Sequence, residues 1–425
     1  MFGIVEPVGA ERMRRDVAWN MVPVALLGVV GLALNFTIAS HWGAAPLGAF
    51  NIVTTAMFAF AVIGAGGLQF AVLRAVAEDP DDRARVAAVV VGALVPNVVL
   101  AAIATVAFVV LRGPIGDLVG SSMVTEGILW SAPGLFCFGI NKTLLGVVNG
   151  LRRMRAFALY TSLRYLLLGT GLVIALSLDL PAHQLPVIWT ITECTLQLVL
   201  VVELFATVDV RRATGWQAWT RKHLHYGARS VLATLGMEIN QKLDLWVVGV
   251  VLPDAEVGIY SLAAVVYEGS LQLSTVVQNN VNPLLARHLA AGQLIECEGI
   301  VSRSRRWFVP AMIGACAIGA ALYPYVIPRL TKPEFAAGAL PFAFLMGGIA
   351  VASPYLPFNQ MLLMASRPGW HTVYIVGWIA VAAVALSILT PMYGIAGAGA
   401  ATAIALAASA LLLRWFVRSR IGIRI

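Results

Sequence analysis

Charge is what this sequence has least of. Only 12% of its 425 residues are Asp, Glu, Lys or Arg, while 60% are hydrophobic and the mean hydropathy is +0.85. Soluble domains carry about 25% charged and about 45–50% apolar residues, so the composition excludes a water-soluble globular protein. Cysteine is scarce too. Of the four, Cys137, Cys194 and Cys316 fall in apolar runs and Cys297 in a polar connection, with no spacing that implies a disulfide framework or a metal site. No Walker loop, His-rich metal pattern or nucleophile elbow occurs, which argues against an ATP-driven pump or a hydrolase. Asn35-Phe-Thr and Asn141-Lys-Thr match glycosylation acceptors, yet both lie inside apolar runs.

What fills the chain instead is membrane-length apolar sequence. Each crossing of the hydrocarbon needs about 20 residues, and the runs lack the alternating pattern of barrel strands, so the spans must be helices. Twelve are expected, at roughly 17–39, 50–72, 86–110, 128–149, 157–177, 185–206, 229–252, 257–281, 306–327, 339–364, 372–390 and 395–416. The predicted fold is therefore an all-α polytopic membrane protein. A polar lead at 1–16 carries no cleavable signal. It is followed by a six-helix bundle at 17–206, a cytoplasmic linker at 207–228 with Trp216 and Trp219, a second six-helix bundle at 229–416 and a basic tail at 417–425.

The net charge of +8 orients the chain and does not imply nucleic acid. With the N-terminus cytoplasmic, all but six of the 29 Lys and Arg fall on the cytoplasmic side, Arg12, Arg14 and Arg15 first among them. Arg112, Arg329 and Lys332 are outside; Lys142, Arg164 and Lys242 are within spans. This asymmetry puts both termini in the cytoplasm. The charges of the connection from Pro283 to Arg305 are expected to form a solvated surface facing lipid head groups.

Polar residues inside the spans are the candidate functional groups, because an ionisable side chain at the centre of an inserted helix costs about 2.5–3.5 kcal/mol. The stretch from Leu235 to Gln272 is densest, with Glu238, Asn240, Gln241, Lys242, Asp244, Glu268 and Gln272. Glu238 and Lys242 are four apart and would share a helix face; Glu268, Gln272, Thr275 and Asn279 would form one stripe. Lys142 and Arg164 lie at matching depth in the cytoplasmic half of consecutive spans. They could make an anion site, or could snorkel to the interface. Glu193 and Gln197 sit a turn apart in the outer half of span six. All of these could equally be hydrogen bonds between packed helices.

The two halves carry a weak repeat: Ala45-Pro-Leu-Gly-Ala-Phe-Asn51 opens span two and Ala255-Glu-Val-Gly-Ile-Tyr-Ser261 opens span eight. Six-span repeats run parallel, related by a pseudo-two-fold axis along the membrane normal, an arrangement suited to alternating access. Gly64-Ala-Gly-Gly67 is either a hinge or a close packing site, and Gly394-Ile-Ala-Gly397-Ala-Gly399 is a closely packed span entrance rather than a dinucleotide fingerprint.

Several motifs carry a family resemblance. Pro46-Leu-Gly-Ala-Phe50, Gly67-Leu-Gln-Phe-Ala-Val-Leu-Arg74, Gly146-Val-Val-Asn-Gly-Leu-Arg-Arg153, Asn240-Gln-Lys-Leu-Asp244 through Gly249, and Pro391-Met-Tyr-Gly through Ala400 resemble polysaccharide (Wzx-type O-antigen or exopolysaccharide) flippases of the multidrug/oligosaccharidyl-lipid/polysaccharide exporter superfamily. The resemblance implies a twelve-helix, non-enzymatic, cofactor-free transporter in a bacterial inner membrane. Its cargo would be an undecaprenyl-pyrophosphate-linked glycan, its partners a polysaccharide polymerase and glycosyltransferases. Lys142, Arg164 and Lys242 would contact substrate. Glu193, Glu238, Asp244 and Glu268 would pair with these cations or bind a coupling proton or sodium ion. The mixture of signs departs from the cationic cavity that the family leads one to expect. An ion-coupled multidrug exporter and a non-transporting scaffold of a glycan-assembly complex are the alternatives.

Overall fold

The computed structural model describes residues 10–423, with the side chains of residues 10–21, 24, 232, 233 and 240 left aside. Arg12, Arg14, Arg15, Asn240 and Arg424 therefore lie outside the described side chains. Helices account for nearly all of it, and no strand occurs among the described residues. In lipid every backbone N–H and C=O must be satisfied within the segment, which apolar runs of this length achieve only as helices.

The chain divides into two compact units, one of residues 1–34 and 49–242, the other of residues 35–48 and 243–425. The first contains most of α1 (Ala10–His41) and α2 (Ala44–Ala65), then α3 (Leu68–Glu78), α4 (Arg83–Val110), α5 (Arg112–Val119), α6 (Ser122–Gly150), α7 (Met154–Ser177), α8 (Val187–Thr207) and α9 (Trp216–Gln241). The second contains α10 (Leu243–Val251), α11 (Asp254–Ala290), α12 (Leu294–Leu330), α13 (Ala339–Ala352), the single turn α14 (Met361–Met364) and α15 (Pro368–Arg420). The boundary after Lys242 puts the predicted seventh span's first half, α9, with the first unit.

Among the described residues, eight helical segments are long and apolar enough to cross a membrane, so this is a multi-pass membrane protein. The sequence predicts twelve crossings, and the difference has physical causes. The 53-residue α15 is broken at Gly394, whose φ of 59° and ψ of −143° only glycine adopts easily, so it serves as two crossings. The apolar part of α1 counts as the shorter Ala25–His41. The seventh crossing is divided at Lys242 between α9 and the nine-residue α10, too short to span alone, and α9 and α11 carry the polar residues noted above.

Within lipid, apolar burial offers little drive for helices to associate, so close backbone approach and buried hydrogen bonds take its place. In the first unit Val72, Val89, Leu144, Leu196 and Leu200 pack in one cluster contributed by α3, α4, α6 and α8. Small residues let these helices touch: a Cβ on Gly134 of α6 would sit 2.8 Å from the Thr190 backbone of α8, and one on Gly146 would sit 2.6 Å from the Gln69 carbonyl of α3. Gly66 and Gly67 have positive φ and end α2, so this motif is a break as well as a packing site. The fully buried Asn97 donates to the Gly64 carbonyl at 3.0 Å, occupying one carbonyl beside the break.

The linker expected at 207–228 overlaps the first half of α9, which packs on α4. Thr220 donates to the Gly92 carbonyl at 2.9 Å, and Trp219 takes the Arg85 guanidinium and the Lys222 ammonium on its ring. His223 donates from its ring to the Val89 carbonyl at 3.1 Å; burial outweighs that bond and lowers its pKa below the usual 6.5.

In the second unit the start of α11 crosses the start of α2, at the two repeat motifs. A Cβ on Gly258 would lie 1.8 Å from the Ala44 carbonyl oxygen, and one on Gly48 would lie 2.0 Å from that of Asp254. Each glycine thus receives the carbonyl four residues before the other, the reciprocity that a local two-fold imposes. Between α13 and α14 the chain unwinds around residues 353–360. Arg305 of α12 donates from Nε to the Pro354 carbonyl at 2.6 Å and stacks on Tyr355, while Asn282 of α11 donates to Gln360 at 3.0 Å and Gln278 to Asn359. Arg305 is therefore a clamp on an unwound segment, a correction to its expected place on a solvated surface.

Candidate functional site

The polar layer of the first unit is assembled by α6, α7 and α8. On α6, Phe138, Asn141 and Lys142 are spaced by three and four residues and share a face; on α8, Trp189 and Glu193 do the same. Glu193 and Asn141 have no exposed surface. The Asn141 amide donates to the Glu193 carboxylate and to its backbone carbonyl, each at 2.9 Å. Arg164 of α7 meets the same carboxylate side-on, Nε 2.7 Å from Oε1 and Nη2 3.2 Å from Oε2. The Nη2 contact is a charge-assisted hydrogen bond and the Nε contact a close ion-pair approach, and together they tie both side chains. Arg164 is only 12% exposed and does not snorkel.

One aromatic ring organises the cations. The Lys142 ammonium lies 4.9 Å and the Arg164 guanidinium 4.8 Å from the centroid of Phe138. Phe58 of α2 stacks on Phe138 at 5.3 Å and meets Trp189 edge-on at 5.0 Å; Trp189 in turn donates to Thr54 at 3.0 Å. Arg164 is engaged by its carboxylate, whereas Lys142 rests on the ring face with the charges of Glu238, Arg164 and Glu193 acting on it from farther away. Lys142 and Arg164 are thus brought together, and Glu193, placed by sequence in the outer half of its span, joins them.

The face that Glu238 and Lys242 are predicted to share is interrupted. Helix α9 ends at Gln241, Lys242 occupies a turn whose N–H bonds Ile239 at 3.2 Å, and α10 begins at Leu243. A four-residue spacing pairs side chains only within a continuous helix. The charge of Glu238 also reaches Lys142 within the first unit.

In the second unit, Asp244 stands at the start of α10. Its Oδ1 accepts from the Leu245 N–H at 2.9 Å, as a carboxylate at a helix N-terminus should. Its Oδ2 accepts from the Tyr260 hydroxyl at 2.8 Å, and Tyr260 also meets the Thr402 hydroxyl at 3.4 Å. The charges of Asp244 and Glu268 both reach the buried Tyr267. Along α11, Gln272, Thr275 and Asn279 stay exposed on one stripe while Ser274, Val277 and Gln278 pack inward. Sequence missed three participants: Asn141, hidden by its glycosylation-like motif, the Phe138 ring, which looks like ordinary apolar sequence, and the Tyr260 hydroxyl.

Helices in two units, broken spans and ionisable residues held at membrane depth define a transporter-type fold. Solved structures agree on the fold. An inward-facing multidrug resistance MATE family transporter of the MOP superfamily is 14% identical, covers 95% of this chain and 98% of its own, and superposes with a TM-score of 0.75. The lipid II flippase MurJ in an inward closed conformation is 14% identical, with 95% and 87% covered and a TM-score of 0.74. A MOP superfamily transporter from Pyrococcus furiosus, whose binding pocket is described as of reverse polarity, gives 14%, 95% and 94%, and 0.58. No curated protein matches. Residues 14–287 match the family described as polysaccharide biosynthesis protein, and the chain belongs to that family.

Proposed function

We propose that this protein is an alternating-access flippase that moves a polyprenyl-pyrophosphate-linked oligosaccharide from the cytoplasmic to the periplasmic leaflet of a bacterial inner membrane, for surface polysaccharide synthesis. Family membership supports the pathway class, and the fold supports transport over catalysis. The observation that carries the substrate class is the layer around Phe138, where two cations share one ring and one buried carboxylate. A pyrophosphate would take Lys142 first, because its ammonium is held by a ring and not by an acid. It would then compete with Glu193 for the Arg164 fork, whose planar donors suit a phosphate as well as a carboxylate. Lys242, at the break between α9 and α10, is the third cation of the set.

Displacing Arg164 would leave Glu193 buried without its counter-charge, so a proton or sodium ion arriving there would couple to cargo binding. Glu238, whose charge reaches Lys142, Asp244 with the Tyr260 and Thr402 hydroxyls, and Glu268 are further coupling or pairing groups.

The test is movement of a labelled polyprenyl-pyrophosphate oligosaccharide between leaflets of proteoliposomes, with and without a proton or sodium gradient. Protein-dependent flipping that falls at least tenfold in Lys142→Ala, at equal protein incorporation, is the expected result. Flipping unchanged in Lys142→Ala and Arg164→Ala would remove the site. An absence of flipping together with gradient-driven efflux of cationic dyes would replace the function by multidrug export, a reading that the acid-bearing aromatic layer of Phe58, Phe138, Trp189 and Glu193 would suit.

A further inference from the structure

Cys137 and Cys194 are 57 residues apart in sequence, and nothing in their spacing pairs them. The structure does: their sulfurs are 3.5 Å apart, Cys137 on α6 and Cys194 on α8, both thiols free and half-buried. Cys137 lies one helical turn before Asn141, and Cys194 directly follows Glu193. The two thiols therefore stand one turn from the Arg164–Glu193 contact, on the helix pair whose backbones meet at Gly134 and Thr190. Cys297 and Cys316 are buried in the second unit.

We propose that Cys137 and Cys194 form a dithiol site that takes a trivalent arsenical across both sulfurs and closes to a disulfide under a two-electron thiol oxidant. One arsenic(III) centre with two As–S bonds at roughly a right angle reaches both sulfurs across such a gap with little movement. With an aryl arsenoxide, two S–H bonds and the arsenic–oxygen bond break, two As–S bonds form, and the oxygen leaves as water with both protons; no electrons are exchanged. With an azodicarboxamide, the N=N bond accepts two electrons and two protons and becomes a hydrazine as the sulfurs join. An S–S bond of about 2.04 Å requires the sulfurs to approach by roughly 1.5 Å. Either closure clamps α6 to α8 at the level of the ion pair.

The full chain in lipid–detergent micelles is treated with equimolar phenylarsine oxide, denatured, and its remaining thiols are counted by maleimide mass tagging with peptide mapping. The expected result is loss of Cys137 and Cys194 together, return of both after a small dithiol competitor, and at least a tenfold weaker protection in Cys137→Ser and in Cys194→Ser. Diamide is expected to give one cross-linked peptide pair holding Cys137 and Cys194, short of two hydrogens. Protection that persists in the single serine variants, tagging of Cys137 independently of Cys194, or a cross-link through Cys297 or Cys316 instead would overturn the proposal. None of these readouts depends on transport, so the result stands or falls apart from the flippase reading.

Discussion

Glu193 illustrates how a single side chain is committed by its surroundings. It is fully buried, accepts from Asn141 and meets Arg164 through both oxygens. Breaking a buried pair from one side costs about 3–5 kcal/mol, because the surviving charge keeps its desolvation penalty, whereas replacing both partners by apolar groups is often nearly neutral. Glu193→Gln is therefore expected to lower thermal stability strongly in a fixed lipid–detergent mixture, and Glu193→Leu with Arg164→Met to recover most of the loss. If the double variant were as unstable as the sum of its singles, the pair would not be the unit that the geometry indicates. At this scale the sequence was only half legible. Lys142, Arg164 and Glu193 stand out because ionisable residues are rare in spans, but which acid meets which base depends on helix neighbours that no spacing encodes. Glu238 shows the same limit: its four-residue spacing points to Lys242, while its charge also reaches Lys142 on α6.

At the scale of elements, helices were legible wherever composition alone decides, and breaks were legible only where glycine marks them. Gly66, Gly67 and Gly394 signal their breaks by residue type. The interruption at Lys242 has no glycine or proline, so an unbroken periodicity runs straight through it. The two repeat motifs were visible in the sequence, yet their meeting was not. Gly258→Ala would set a Cβ 1.8 Å from the Ala44 carbonyl oxygen, and Gly48→Ala would set one 2.0 Å from that of Asp254. Neither obstacle is a flexible side chain, so the helices must part. Overpacking of this sort costs about 1–3 kcal/mol. Each variant should lower the unfolding midpoint, and the double variant should fall short of the summed losses, since one opening of the crossing relieves both clashes. Gly236→Ala and Gly314→Ala, with nothing within 4 Å, serve as controls and should be neutral. Full additivity, or a silent Gly258→Ala, would show that the crossing is looser than its carbonyl contacts require.

At the scale of the whole molecule, charge does for topology what packing does for the units. An excess of Lys and Arg on one side fixes orientation during insertion, because cationic loops are held back in the cytoplasm. The connections of this chain follow that rule: Arg152 and Arg153 lie between α6 and α7 and Arg211 and Arg212 between α8 and α9, whereas the connection between α7 and α8 has no Lys or Arg. The alternation survives the broken helices because α2 with α3, α9 with α10, and α13 with α14 each serve as one crossing, while α15 serves as two. Miscounting any of these by one would invert every loop after it, so loop accessibility tests the count and the orientation together. In a background with the four native cysteines replaced, Asp179→Cys, Gln293→Cys and Ser419→Cys each place one thiol at an exposed position. A membrane-impermeant maleimide applied to intact spheroplasts should label residue 179 and spare 293 and 419, which should react only after the membrane is opened. Labelling at 293 with protection at 179 would mean an inverted chain. Labelling at 179 and at 419 with protection at 293 would mean an odd number of crossings between 293 and 419, α12 included, and with it a continuous α15 in place of two helices meeting at Gly394.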